Sequence, residues 1–98
     1  MLTDITSLET SYLGKTVKVS ETISPNQFLD QGETIEYTLD ETDPVIVQLV
    51  EDAKQLPLTW IRFLLPDTFV TMEYVTSRLN VYIEKNNDTW QITRMAIG

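Results

Sequence analysis

The chain contains no cysteine and no histidine. Those two absences remove thiol nucleophiles, disulfide frameworks, Cys/His zinc sites and any Ser-His-Asp triad. The packed core must therefore supply the stability alone. No apolar stretch approaches the roughly 18 residues that a membrane span requires, and there are no internal repeats or low-complexity tracts. The N-terminus, MLTDITSLETS, lacks the basic and apolar regions of a signal peptide, which is compatible with a cytoplasmic chain or with a mature secreted one. Basic residues are scarce, seven against fifteen acids, for a formal charge of −8. The imbalance is local: residues 1–55 hold eleven acids and three bases, residues 56–98 four of each. An acidic surface disfavours nucleic-acid backbones and anionic membranes as partners, and favours basic partners or plain solubility.

At 98 residues, 42% of them hydrophobic and 22% charged, the chain is an ordinary globular sequence long enough for one domain. Residues 1–11 show no useful periodicity and are expected to form a flexible terminus. Residues 12–41 read as additional N-terminal strands. Val17, Val19 and Ile23 alternate with polar neighbours, as do Ile35, Tyr37 and Leu39, and the turn-rich SPNQFLDQG lies between the two runs; Val17, Val19, Ile35 and Tyr37 are expected to bury an apolar face. These strands are expected to extend a main sheet formed within 42–98.

Residues 42–98 form the expected core of the domain. DETDPVIVQLVEDAKQLP predicts a helix, with Thr42 or Asp43 as cap, Pro44 in its first turn and Pro57 as its stop. Ile46, Leu49, Val50, Ala53 and Leu56 follow the helical spacing, although the β-branched cluster Val45–Val47 favours a strand. A calcium-loop reading of DETDPVIVQLVE fails because Val45 stands where the sharp turn needs glycine; no metal and no cofactor is expected. TWIRFLL reads as a buried strand ending before Pro66. RLNVYIEK and TWQITRM read as a hairpin closed by Asn86, Asn87 and Asp88, and Trp60 and Trp90 as core. Asn87-Asp88-Thr89 is also a formal glycosylation sequon. The fold expected is α+β: a small mixed sheet, one packed helix and an extended loop between C-terminal strands, plus the extra N-terminal strands.

The connection between TWIRFLL and RLNVYIEK is unusual. It runs for about a dozen residues, a length that in compact domains is usually functional. It also carries Phe69, Val70, Met72, Tyr74 and Val75, apolar and aromatic side chains that a plain connection would not display.

From Trp60 to Gly98 the sequence resembles the inhibitory core of the potato inhibitor I type (eglin-like) serine protease inhibitors, and more so their microbial elastase-inhibitor relatives. The resemblance rests on Ile61-Arg62 and Leu64, on Pro66, on VTMEY at 70–74, on SRLNVYIEKNND at 77–88 and on Ile97-Gly98; DAKQL at 52–56 falls where that family has its helix. It implies a substrate-like loop offered to a serine protease, with Met72–Glu73 as the scissile bond. Met72 would then enter the primary specificity pocket, Val70 and Thr71 would precede it, and Glu73 and Tyr74 would lie on the leaving side. Arg78 matches a family arginine that braces the loop, which implies an Arg78–Glu73 interaction at a partly exposed site outside the core, so that its loss is expected to change global stability little. Asn80 stands where potato-type members carry a second supporting arginine and the microbial relatives have asparagine. Asp67 replaces a glycine common in the family.

The residue types suit that chemistry. Methionine is unbranched and adapts to elastase-, chymotrypsin- or subtilisin-like pockets, but it cannot pair with a trypsin-like pocket carboxylate. Val70 and Thr71 favour an extended backbone, and the planar donor head of Arg78 can tie several acceptors together. The implied partner is a subtilisin-, elastase- or chymotrypsin-like protease, bound by a monomer that is not itself an enzyme. Two other classes compete with this one. A glycosidase-like carboxylate pair would need a pocket deeper than so small a domain offers. An acidic, non-inhibitory protein occupying a basic groove fits the charge but leaves VTMEY and Arg78 unexplained.

Overall fold

The computed structural model describes residues 4–25, 33–66 and 75–98. It shows a small α+β fold. The elements, in chain order, are α1 (Thr6–Tyr12), β1 (Thr16–Val17), β2 (Val19–Pro25), β3 (Glu33–Leu39), α2 (Pro44–Ala53), β4 (Trp60–Leu64), β5 (Arg78–Asn86) and β6 (Thr89–Ile97). Four strands form a mixed sheet in the order β1-β6-β5-β4, and β2 and β3 form a separate antiparallel pair.

The expected hairpin is present. Asn86 faces Thr89, and the two turn residues Asn87 and Asp88 both take positive φ, 51° and 67°, the backbone sign that a tight two-residue turn demands and that Asn and Asp tolerate. Leu79, Val81 and Ile83 alternate onto one face of β5 and are fully buried, opposite Ile97, Met95 and Ile92 of β6. The register slips once, between Tyr82 and Ile83, leaving Thr93 as the extra residue of a bulge; its hydroxyl donates to Glu84 Oε1 at 2.7 Å. Ile46, Leu49 and Ala53 of α2 pack on the same core.

Helix α2 begins as the sequence predicts. Asp43 caps it, its Oδ1 accepting from the Val45 amide at 2.9 Å, and Pro44 follows. Of the β-branched run, Ile46 is buried, Val45 half-buried and Val47 47% exposed; helical spacing, not strand alternation, accounts for all three. Pro57 is not what ends the helix. The last turn closes at Lys54, whose amide donates to the Val50 carbonyl, and Leu56 folds back onto Ala53. Asp43 Oδ2 also accepts from the Lys18 amide at 3.1 Å, so Asp43→Ala should cost about 1–2 kcal/mol of stability, readable as a lowered urea midpoint at unchanged slope.

Three expectations need correction here. First, the terminus is not frayed from residue 4 onward. Asp4 Oδ1 accepts from the Thr6 amide and hydroxyl, opening α1, and Ile5, Leu8 and Tyr12 are buried in the core; the described residues form two helices, not one. Gly14 then takes φ +84°, a turn glycine makes without strain, and its amide donates to the Ile92 carbonyl at 2.8 Å. Second, only β1 extends the main sheet. The cause is Lys18, whose amide and carbonyl are taken by Asp43 and Asp40, so the chain leaves β6 there and pairs with β3 instead. Third, Ile35 is not a core residue; it is 45% exposed, far along the β2–β3 ribbon, whereas Tyr37 reaches the body and meets Trp90 edge-on with ring centroids 5.2 Å apart.

The helices are tied together by a hydrogen bond from the Tyr12 hydroxyl to Asp52, which also accepts from Gln48. Burial first, then that bond, push the tyrosine pKa from 10.0 up to about 12. The bonds from Tyr12 and Gln48 hold the Asp52 carboxyl below its ordinary 3.8. A raised tyrosine pKa contributes stability that is complete below pH 10 and is lost as pH rises through 12; a lowered carboxyl pKa contributes stability present above 3.8 and lost on acidification. The melting-temperature advantage of the native chain over Tyr12→Phe should therefore be flat between about pH 5 and 10 and close on either side. An advantage that stayed constant to pH 12 would discount the bond.

Candidate functional site

Strands β4 and β5 are parallel neighbours, Trp60 facing Arg78 and Arg62 facing Asn80. A parallel pair cannot be closed by a tight turn, so the chain leaving β4 at Leu64 must return the whole length of the strand to enter β5 at Arg78. Residues 65–77 make that return. This is why the sheet carries a long connection at this point. Val70, Thr71, Met72, Glu73 and Tyr74 lie outside the described residues, and so does any Arg78–Glu73 contact.

The returning limb is fixed where it meets the sheet. The Thr59 amide donates to the Ser77 carbonyl at 2.8 Å and the Thr59 hydroxyl to Ser77 Oγ at 2.8 Å, while the Arg78 amide donates to the Val75 carbonyl at 3.3 Å.

Alternation along β5 sends Leu79, Val81 and Ile83 to the helices, so Arg78 and Asn80 face the other side of the sheet. Both are nonetheless buried, Arg78 to 1% exposure and Asn80 to 4%. They converge on one oxygen: Arg78 Nε donates to Gly98 O at 2.6 Å and Asn80 Nδ2 to the same atom at 2.8 Å. The Gly98 amide returns a bond to the Arg78 carbonyl at 3.1 Å. From β4, Arg62 Nε donates to Asn80 Oδ1 at 2.9 Å, which fixes the amide orientation so that Nδ2 points at Gly98. Trp60 lies over Arg78, its ring centroid 5.2 Å from the guanidinium carbon. The result is a polar chain, Arg62–Asn80–Gly98–Arg78, roofed at one end by an indole.

The expectations for this site divide. Arg78 and Asn80 are brought together at Gly98 O. Arg78 is not the partly exposed side chain expected of a loop brace, and Trp60 is not core but 52% exposed. The two corrections share one cause. In TWIRFLL Ile61, Phe63 and Leu65 pack against the core, and β4 ends the sheet among the described strands, so Trp60 falls on the opposite side, where its ring covers the arginine. Arg62, Thr59 and Ser77 were not singled out as supports, although Arg62 sits two residues after Trp60 and therefore on its face. Among the described residues no group of three or more acidic side chains is placed to hold a metal ion, and no helix is long and apolar enough to cross a membrane. Compared with protein-family models, curated proteins and solved structures, the chain finds no match in any of the three.

Proposed function

We propose that the protein is a serine protease inhibitor whose 65–77 connection presents residues 70–74 as a substrate-like loop, with Met72 entering the primary pocket of a subtilisin-, elastase- or chymotrypsin-like enzyme. The observation that carries this reading is the buried pair Arg78 and Asn80, both bonded to Gly98 O at the foot of that connection. A large guanidinium sequestered there on a small domain is costly unless fixed acceptors compensate it. Under this reading the cost secures the base of a loop that must keep one shape.

Shape is what an inhibitor of this kind needs. Protease–inhibitor interfaces bury only about 1,600 Å² yet are among the tightest complexes known, because a loop already held in its bound form avoids much of the ordering cost of association. A rigid base also keeps the two halves of a cut loop in place, so that the new amine remains beside the acyl-enzyme and religation competes with hydrolysis. In this proposal the Glu73 carboxylate, next to the scissile bond, is the loop's own partner for Arg78.

Titrating subtilisin, pancreatic elastase, chymotrypsin and trypsin with the protein tests the reading. Stoichiometric loss of activity is expected for at least one of the first three, with trypsin spared. Ordinary digestion by all four, with no inhibition at equimolar protein, would end it. The acid-rich first 55 residues favour one other reading, an acidic protein filling a basic groove; that reading requires binding to a basic partner that falls steeply with salt.

A further inference from the structure

Helix α2 turns Ile46, Leu49 and Ala53 into the core, and the last of the three is the short one. Where a longer side chain would fill the space, alanine leaves a hollow between the end of α2 and β4. It measures about 280 Å³, and its apolar wall is Val50, Ala53, Leu58, Ile61 and Phe63. Val50, Leu58, Ile61 and Phe63 pack against the core yet are only half-buried, so each keeps part of its surface unpacked. Thr59 and Trp60 also border the hollow. They meet Ser77 and Arg78, so the hollow adjoins the base of the 65–77 connection.

Size and charge specify an occupant. An apolar void of about 150 Å³ in a protein core stays dry and takes up benzene, so a hollow of roughly twice that volume has room for an apolar body of about ten carbon atoms. Among the described residues the one charged side chain on the hollow is Lys54. Residues 44–63 hold two acids and two bases, and three of those four charges are engaged elsewhere or weakly. Asp52 accepts from Tyr12 and Gln48, and Arg62 donates to Asn80. Glu51 pairs with Lys54 at 3.3 Å, with the two side chains 59% and 64% exposed; a pair so exposed contributes little. A carboxylate brought there by a buried apolar body can therefore replace Glu51 at the ammonium. The end of a helix repels an anion through its free carbonyls, but those of Val50, Asp52 and Ala53 are already taken by the amides of Lys54, Gln55 and Leu56. A cationic head would meet Lys54 with like charge, and a neutral head would gain no ion pair.

We infer that the hollow between α2 and β4 binds a small amphiphilic carboxylate, its apolar body against Ala53, Leu58 and Ile61 and its head on Lys54 in place of Glu51. Octanoate serves as the probe, titrated into the isotope-labelled full chain with methyl and amide shifts followed by NMR. The measurement contains no protease, so its outcome and that of the inhibitor proposal are read separately. Saturable binding is expected at about millimolar concentration or below, with shifts concentrated at Val50, Ala53, Leu58 and Ile61. The neutral 1-octanol should bind at least about threefold more weakly, and octylammonium at least about tenfold. Two variants that alter only exposed side chains test the head. Lys54→Gln should weaken octanoate at least about threefold and leave octanol unchanged, whereas Glu51→Gln removes the competing carboxylate and should tighten octanoate. The proposal is overturned if no saturable binding occurs up to about ten millimolar octanoate or if the shifts map elsewhere. It is equally overturned if octanol or octylammonium binds as tightly as octanoate, or if either charge variant leaves the affinity for octanoate unchanged.

Discussion

Arg78→Ala should lower stability by about 3 kcal/mol or more, the usual result of removing one partner from a buried charged network, and so depress the melting temperature by roughly 12–24 °C for a domain of this size. The sequence suggests the opposite, a partly exposed brace whose loss the core would not feel. Burial decides the matter. The side chain is 1% exposed, donates to Gly98 O at 2.6 Å and fills the space beneath the Trp60 ring. Alanine would leave a cavity there, remove one of the two donors to Gly98 O and strip the half-exposed indole of its support. Arg78→Lys keeps the charge but loses the planar face and the fork of donors, and should fall between the two. The effect has a second, separable readout. Under the inhibitor proposal the loosened base lets the loop depart from its bound shape, so at a temperature where the variant is still folded its affinity should drop and its cleavage accelerate. Calorimetry reads the first effect and timed digestion the second. A variant that melted within a degree or two of the parent would show that the arginine holds nothing.

The parts of the fold that were legible in the sequence are those where one periodicity stands uncontested. Leu79, Val81 and Ile83 alternate cleanly, Asn87-Asp88 can only be a tight turn, and Asp43-Pro44 opens a helix whose apolar residues recur at the right spacing. Helix α1 was missed although its signal is present: Asp4 two residues before Thr6, then Ile5, Leu8 and Tyr12 on one face. Seven residues rich in Thr and Ser carry too little propensity to stand out, and such a helix is held by packing on its neighbours rather than by itself. The switch of sheets at Lys18 was not legible for a different reason. It depends on bonds to Asp40 and Asp43, more than twenty residues away, which no local window contains.

At the site the residue types were readable and their burial was not. A sequence places arginine on the surface by default, and only the parallel register of β4 and β5 shows that Trp60 lies beside Arg78 and Arg62 beside Asn80. Parallel pairing also explains why the connection that holds FVTMEYV is long: the chain has a whole strand length to retrace. Whether that run meets a protease as proposed is a question of its side chains, and it can be asked one residue at a time.

Met72→Lys asks it most sharply. Methionine offers a trypsin-like pocket no partner for its carboxylate, whereas a lysine ammonium supplies one, and a charge-assisted bond of that kind is worth about 2–3 kcal/mol. Inhibition of trypsin should therefore tighten roughly 30- to 150-fold. Elastase- and chymotrypsin-like enzymes should respond in the reverse direction, since their apolar pockets would have to desolvate the ammonium unpaired. The melting temperature should stay close to that of the parent, because position 72 belongs to the 65–77 connection and to none of the described strands or helices. That invariance separates a change of specificity from a loss of fold, which the arginine variants cannot do on their own. Mass spectrometry during prolonged incubation supplies the independent check: the first cut in the parent is expected between residues 72 and 73. If the lysine variant kept the parent's whole inhibition profile, Met72 would not be the residue that the pocket selects. A first cut elsewhere in the parent would move the contact away from residues 70–74 while leaving intact the structural role of Arg78, Asn80 and Gly98.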